Sequence, residues 1–289
     1  PQAPVLIKTV SAGYTSNPYM NFILVSGNYF YLSGINSTSV DVWSIASSTN
    51  PVRVKQVALG TKNVFTMTLV GDYLYAPLIG GGVHVMAIIN VSDPLNATLV
   101  NTIATLPYPD RVVAVGGYAY LFSNDGNYSK ITIYNVATPA NPVFVKTVSS
   151  LARNTVRDPS YQQGPFLYGL SRGMSSIHII NVSNPTSPTL ANIQPANSTL
   201  AGSFWGFGGY LYIPLEHKYS RSIEVWSISS STLPVRVSTL TNIPGGYGSY
   251  FRTEVRNGYL YYLNGVNNST GSSLGIYRIS GGSGGNSIA

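Results

Sequence analysis

The chain has 289 residues, 44% of them apolar and only 9% charged, so it can bury a large core beneath a surface that is polar without being charged. Zero Cys excludes disulfides, zinc–thiolate centres and thiol nucleophiles together, and 22 Tyr argue against a disordered chain. The formal charge of +7 reflects a shortage of acids, nine against sixteen bases, without any basic run or helical segment to enter a groove, so no nucleic-acid partner is expected.

The first predicted strand, 4–10 (Pro4-Val5-Leu6-Ile7-Lys8-Thr9-Val10), is headed by a proline and is the counterpart of 51–57, which alternates apolar and polar residues. A variable stretch follows, then a short apolar strand, Phe22-Ile23-Leu24-Val25, ending at the polar turn Ser26-Gly27-Asn28. The strand after that turn has the form Tyr-x-Tyr (Tyr29-Phe30-Tyr31), and a third apolar run occupies 40–45. The turn Ser48-Thr49-Asn50-Pro51 then opens the next proline-headed strand, Pro51-Val52-Arg53-Val54-Lys55-Gln56-Val57. Strands of this outer type begin at 4, 51, 97, 142, 188 and 234, and the second aromatic of the Tyr-x-Tyr strand recurs at 31, 75, 120, 168, 212 and 261. A period in the mid-forties marks a repeat architecture.

Four strands per unit, six units and no helical periodicity predict an all-β, six-bladed β-propeller with four antiparallel strands per blade. One domain is expected over 1–280, followed by a Gly/Ser-rich tail, 281–289. The last unit runs into Gly281-Gly282-Ser283-Gly284-Gly285 without a fourth strand, while the chain opens with one to spare. The N-terminal strand, Pro4 through Val10, is therefore expected to complete the last blade, with donation to a neighbouring subunit as the competing arrangement. Lys8, Arg53, Lys55, Lys146 and Arg236 on the outer strands are expected as exposed rim charges that discourage edge pairing. No segment approaches eighteen consecutive apolar residues, so no membrane insertion is expected, and the opening Pro1-Gln2-Ala3-Pro4 is expected to be the start of a mature or excised polypeptide.

These units resemble the LVIVD repeats of bacterial and archaeal surface propellers. The resemblance rests on 27–31 and 71–75 for the Gly-Asn/Asp-Tyr-x-Tyr turn and strand, and on 90–94, 135–139 and 181–185 for the Asn-x-x-x-Pro strand end. The first, fifth and sixth units depart from it at Trp43-Ser44, Trp226-Ser227 and Tyr277-Arg278. The resemblance implies a secreted or surface location and brings no shared catalytic residues; WD40 and kelch patterns fit less well.

Variability collects in 11–21, 33–39, 105–111, 122–130, 149–163, 197–204, 214–222, 243–252 and 262–273, all expected as loops on one face. There Arg111, Arg153, Arg157, Arg252, Tyr247 and Tyr250 are candidates for an anionic or sugar ligand, because guanidinium groups match carboxylates and aromatic rings match pyranose faces. Three His (His84, His178, His217) and nine dispersed acids offer no metal or glycosidase spacing; Glu216-His217-Lys218 is the one weak catalytic candidate, and neither metal nor cofactor is expected. Asn36, Asn90, Asn96, Asn127, Asn181, Asn197, Asn267 and Asn268 each begin Asn-x-Ser/Thr without proline at x, the acceptor triplet for N-glycosylation. The expected function is an extracellular, N-glycosylated structural or interaction subunit of a cell-surface layer, sheath or filament, with copies of itself or other surface proteins as partners. The alternatives are a surface lectin or adhesin, and then a hydrolase or lyase.

Overall fold

The computed structural model describes residues 21–34, 37–47, 50–60, 63–64, 66–80, 82–124, 128–153, 156–171, 176–195, 204–216, 221–243, 251–256, 259–264 and 273–278. Apart from a 3-10 turn at Pro94–Asn96, the elements formed by these residues are strands. The chain divides into two compact units, residues 1–150 and 151–289.

The first unit holds three antiparallel sheets. One is β1 (Asn21–Ser26), β2 (Tyr29–Gly34), β3 (Ser39–Ser44) and β4 (Val52–Ala58), paired in that order. In the next, β5 (Asn63–Val64) and β6 (Thr68–Val70) both pair with β7 (Tyr73–Gly80), so the first position is split in two before β8 (Val83–Asn90) and β9 (Thr98–Ala104). The last is β10 (Pro109–Val115), β11 (Tyr118–Asn124), β12 (Tyr128–Asn135) and β13 (Val143–Arg153). The second unit repeats the order in β14 (Val156–Gln163), β15 (Phe166–Ser171), β16 (Ser176–Asn181), β17 (Thr189–Pro195) and again in β18 (Trp205–Phe207), β19 (Tyr210–Glu216), β20 (Arg221–Ser227), β21 (Val235–Ile243). Its remaining strands, β22 (Phe251–Arg256), β23 (Tyr259–Asn264) and β24 (Ser273–Arg278), form a three-stranded sheet.

The expectation of six four-stranded blades is thereby corrected: the fold has five blades of four-stranded antiparallel sheet. The physical reason lies beyond β24, where the Gly/Ser-rich run 281–285 has no apolar alternation from which to build a fourth strand. The segment 4–10, expected to complete that sheet, lies outside the described residues, as does the tail 281–289.

Each inner hairpin closes on the glycine turn that the repeat announces. At Gly116-Gly117 both residues have positive φ (60° and 78°), a conformation that any side chain would strain and that matches the twist of the flanking strands. Beyond the turn, the second aromatic of the motif points into the core: Tyr31, Tyr75, Tyr120, Tyr168 and Tyr212 are all buried. Around them pack the near-continuous apolar runs of the third strands, such as Val40 and Val42, Met86 to Ile89, and Ile177 to Ile180. Strands buried on both faces need no alternation.

Adjacent blades within a unit are tied by a recurring clamp. The Tyr75 hydroxyl donates to the carbonyl of Pro139 (2.6 Å), and Asn101 Nδ2 donates to the next carbonyl, Ala140 (3.1 Å). In the second unit Tyr168 donates to Ser231 O (2.8 Å) and Asn192 Nδ2 to Thr232 O (2.7 Å). Tyr120, at the equivalent position, is buried with a hydroxyl that has no partner. Tyr75→Phe and Tyr168→Phe should each cost about 1–2 kcal/mol by orphaning a carbonyl, whereas Tyr120→Phe should cost nothing or stabilise. Urea midpoints of the three variants check this.

The outer strands share a feature with no sequence marker. Register shifts opposite Val42/Trp43, Ile88/Ile89, Ile179/Ile180 and Val225/Trp226 leave Val54, Val100, Ala191 and Val237 as extra residues in β4, β9, β17 and β21. Such bulges twist an edge and spoil it as a template for further strands.

Candidate functional site

Between β9 and β10 the chain makes a tight turn held by one side chain. Thr105 N donates to the carbonyl of His84, near the start of β8, at 3.0 Å. Three residues later Tyr108 adopts φ 52°, the left-handed region, alone among the described non-glycine residues. For an L-residue that conformation costs about 1–2 kcal/mol. It is held because the Tyr108 N–H donates to His84 Nδ1 (3.3 Å) and the two rings lie against each other, centroids 5.1 Å apart and tilted by 50°. The Tyr108 side chain is nevertheless 55% exposed. Backbone strain is thus spent on presenting an aromatic face to solvent, the kind of outlier that points towards function.

Of the residues expected to form a ligand site, Arg111 lies on β10, half-buried and partnered, with its backbone opposite Phe122 beyond a register irregularity. Arg153 ends β13, Arg157 lies in β14 and Arg252 lies in β22, so these three stand in strands where loops were expected. Polar composition and Pro159 make 149–163 look like a loop, but β13 and β14 extend through it, and β14 absorbs the proline with two register shifts. Tyr247, Tyr250, His217 and Lys218 lie outside the described residues; Glu216 ends β19.

Two acids buried in the described sheets are paired. Asp41, fully buried on β3, accepts from Arg53 Nη1 (3.2 Å) and Gln56 Nε2 (2.9 Å). Glu224, at the equivalent place on β20, accepts from Arg236 Nη1 (2.7 Å) and from Trp226 Nε1 (2.9 Å). Arg53 and Arg236, expected as exposed rim charges, are exposed (44% and 42%), and each also pairs with an acid buried in the sheet. A recurring signal marks this arrangement: Asp41-Val42-Trp43-Ser44 precedes Pro51-Val52-Arg53-Val54 as Glu224-Val225-Trp226-Ser227 precedes Pro234-Val235-Arg236-Val237. A nucleophile–base reading of Ser176 and His178 (Oγ to Nε2, 3.1 Å) meets two obstacles: both are buried, and His178 Nδ1 has no partner to orient the ring. Burial also lowers the pKa of His178. Among the described residues no three acids or histidines converge as a metal site.

Three of the predicted glycosylation acceptors are described. Asn90 and Asn181 are half-buried and cap the turn after the third strand, their Oδ1 accepting from Ser92 N (2.9 Å) and Ser183 N (2.8 Å). Asn135, which begins no acceptor triplet, makes the same bond to Ala137 N. The repeat's turn therefore accounts for these asparagines without sugar. Asn96 is different. It is exposed, and its N–H donates to Asp93 O just as Asn50 donates to Ser47 O and Asn141 to Thr138 O, so the three positions are equivalent. At the other two the next residue is Pro51 or Pro142, which forbids acceptance; here it is Ala97, and the triplet Asn96-Ala97-Thr98 results. Asn36, Asn127, Asn197, Asn267 and Asn268 lie outside the described residues.

No protein-family model matches the sequence, and no curated protein is similar to it. Among solved structures, a protein of Bacteroides fragilis named as a candidate 6-phosphogluconolactonase superimposes with a TM-score of 0.69 at 13% identity, over 92% of this chain and 82% of its own. The periplasmic gluconolactonase of Pseudomonas aeruginosa gives 0.66 at 16% identity, over 90% and 81%. The WD40 domain of Toxoplasma gondii coronin gives 0.59 at 13%, over 90% and 66%. The chain is a β-propeller. At such identities the likeness carries the fold and leaves each neighbour's activity with that neighbour.

Proposed function

We propose that this propeller is an extracellular, N-glycosylated structural or interaction subunit of a cell-surface layer, sheath or filament, related to the LVIVD-repeat surface propellers. One observation carries the reading. The outer strands turn large apolar side chains to solvent: Val52, Leu99, Val143, Phe144, Val235 and Val237 are all exposed. Apolar positions repeated on successive outer strands suit burial against other copies of the chain or other surface proteins. Because bulges interrupt four of these edges, the contact is through side chains and not by strand addition. Asn96 fits the same setting, as an exposed acceptor for sugar on a surface that has few charges to keep it soluble.

A second reading, hydrolysis of a lactone, draws on two of the structural neighbours, which are named as lactonases. It requires an accessible pair of titrating groups, whereas Asp41 and Glu224 are buried against structural partners and His178 is buried. Electron micrographs of native material decide between the two. Lattices or fibres support the surface assembly; dispersed monomers that hydrolyse gluconolactone in parallel assays would replace it with the second reading.

A further inference from the structure

We propose that the Tyr108 turn is a recognition site for a neutral pyranoside, with the Tyr108 ring stacking on a sugar face and His84 as its positioning residue. The inference does not depend on the assembly role, since a sugar could be held by a monomer as well as by a lattice.

Three features of the turn point to this ligand class. The ring is fixed before any ligand arrives: a left-handed backbone, an N–H bonded to His84 Nδ1 and an inclined imidazole at 5.1 Å leave it little freedom to lose on binding. It is more than half exposed, with the His84 ring packed beside it. Pyranose C–H faces pack on such rings, and preorganised tyrosine is an economical anchor for them. At the same end of the sheet β7 ends at Gly80, which pairs with Val83 at the start of β8, so β7 brings no side chain to the strand end next to His84. An anionic ligand fits less well, because the nearby Arg111 is half-buried and already partnered. A proline-rich peptide needs a groove lined with several aromatic rings, and this turn offers one.

The test uses the whole chain and a defined set of probes: maltohexaose, cellohexaose, mannohexaose, chitohexaose and a decaproline peptide, read by saturation-transfer NMR and calorimetry. At least one hexaose should bind. Tyr108→Asn, which tolerates the left-handed conformation, should weaken that binding on the order of tenfold without lowering the melting temperature. His84→Phe keeps a ring beside Tyr108 and removes the acceptor, so it should weaken binding by roughly threefold while the bound sugar still contacts Tyr108. The proposal is overturned if no hexaose binds, if decaproline binds in their place, if Tyr108→Asn leaves affinity unchanged, or if that variant loses thermal stability, which would make Tyr108 a packing residue.

Discussion

Arg236→Ala should lower the stability of the protein by about 3 kcal/mol, the low end of what is lost when one partner of a buried ion pair is removed. Glu224 is essentially inaccessible, and its two carboxylate oxygens are used by Arg236 Nη1 and Trp226 Nε1. Without the guanidinium the carboxylate stays in the sheet with one neutral donor, and its desolvation is no longer offset. The loss sits at the low end because the Arg236 side chain is 42% exposed, so water can approach the vacated position. Arg53→Ala should cost less. Its contact with Asp41 is longer, 3.2 Å, and Gln56 Nε2 still donates to the other oxygen. Combining Glu224→Gln with Arg236→Met should recover most of the loss, since the amide oxygen still accepts from Trp226 while the charge is gone. Denaturant midpoints at unchanged slope give all three values.

Alkaline unfolding should begin just above pH 10 and be steep. Burial pushes the phenols of Tyr120 and Tyr212 up to about 12, each raised further by the neighbouring first tyrosine of its Tyr-x-Tyr pair. Tyr31, Tyr75, Tyr134 and Tyr168 are raised in the same direction by the same leading cause. A group whose pKa is higher in the folded state holds its proton more tightly there, so its contribution is whole below the unfolded value near 10 and disappears as pH climbs through the folded one. Each such tyrosine subtracts about 1.4 kcal/mol per pH unit within that window. Tyrosinate absorbance should therefore rise in two stages, with the buried group ionising together as the sheets come apart. A smooth single titration with circular dichroism intact to pH 12 would show that these hydroxyls are reached by solvent.

What the sequence discloses about this fold follows from the range over which each interaction acts. Strands and inner hairpins are local: Gly71-Asp72 followed by Tyr73-Leu74-Tyr75 specifies turn, strand and inward face within five residues. The number of complete blades was misjudged because it depended on borrowing a distant strand, which no local pattern establishes. The outer-strand bulges at Val54, Val100, Ala191 and Val237 fall on ordinary residues and emerge only from the pairing of two strands. Asp41 and Arg53 are 12 residues apart, across a hairpin, so their contact needs the register before it can be seen. Loop assignments failed at Arg153, Arg157 and Arg252 because a polar strand resembles a loop in composition. Tyr108 was missed for the opposite reason: a left-handed turn usually advertises itself with Gly or Asn, and here a tyrosine is held in place by a histidine more than twenty residues earlier.

Residues that serve the repeat differ from residues that the repeat displays, and the acceptor asparagines separate the two most cleanly. Native protein should be digested and its glycopeptides mapped by mass spectrometry. Sugar on Asn96, with Asn90 and Asn181 bare, is the predicted result. Sugar on either turn-capping asparagine, or a bare Asn96 alongside sugar elsewhere, would contradict the distinction between them, and a chain without any sugar would contradict the surface role itself.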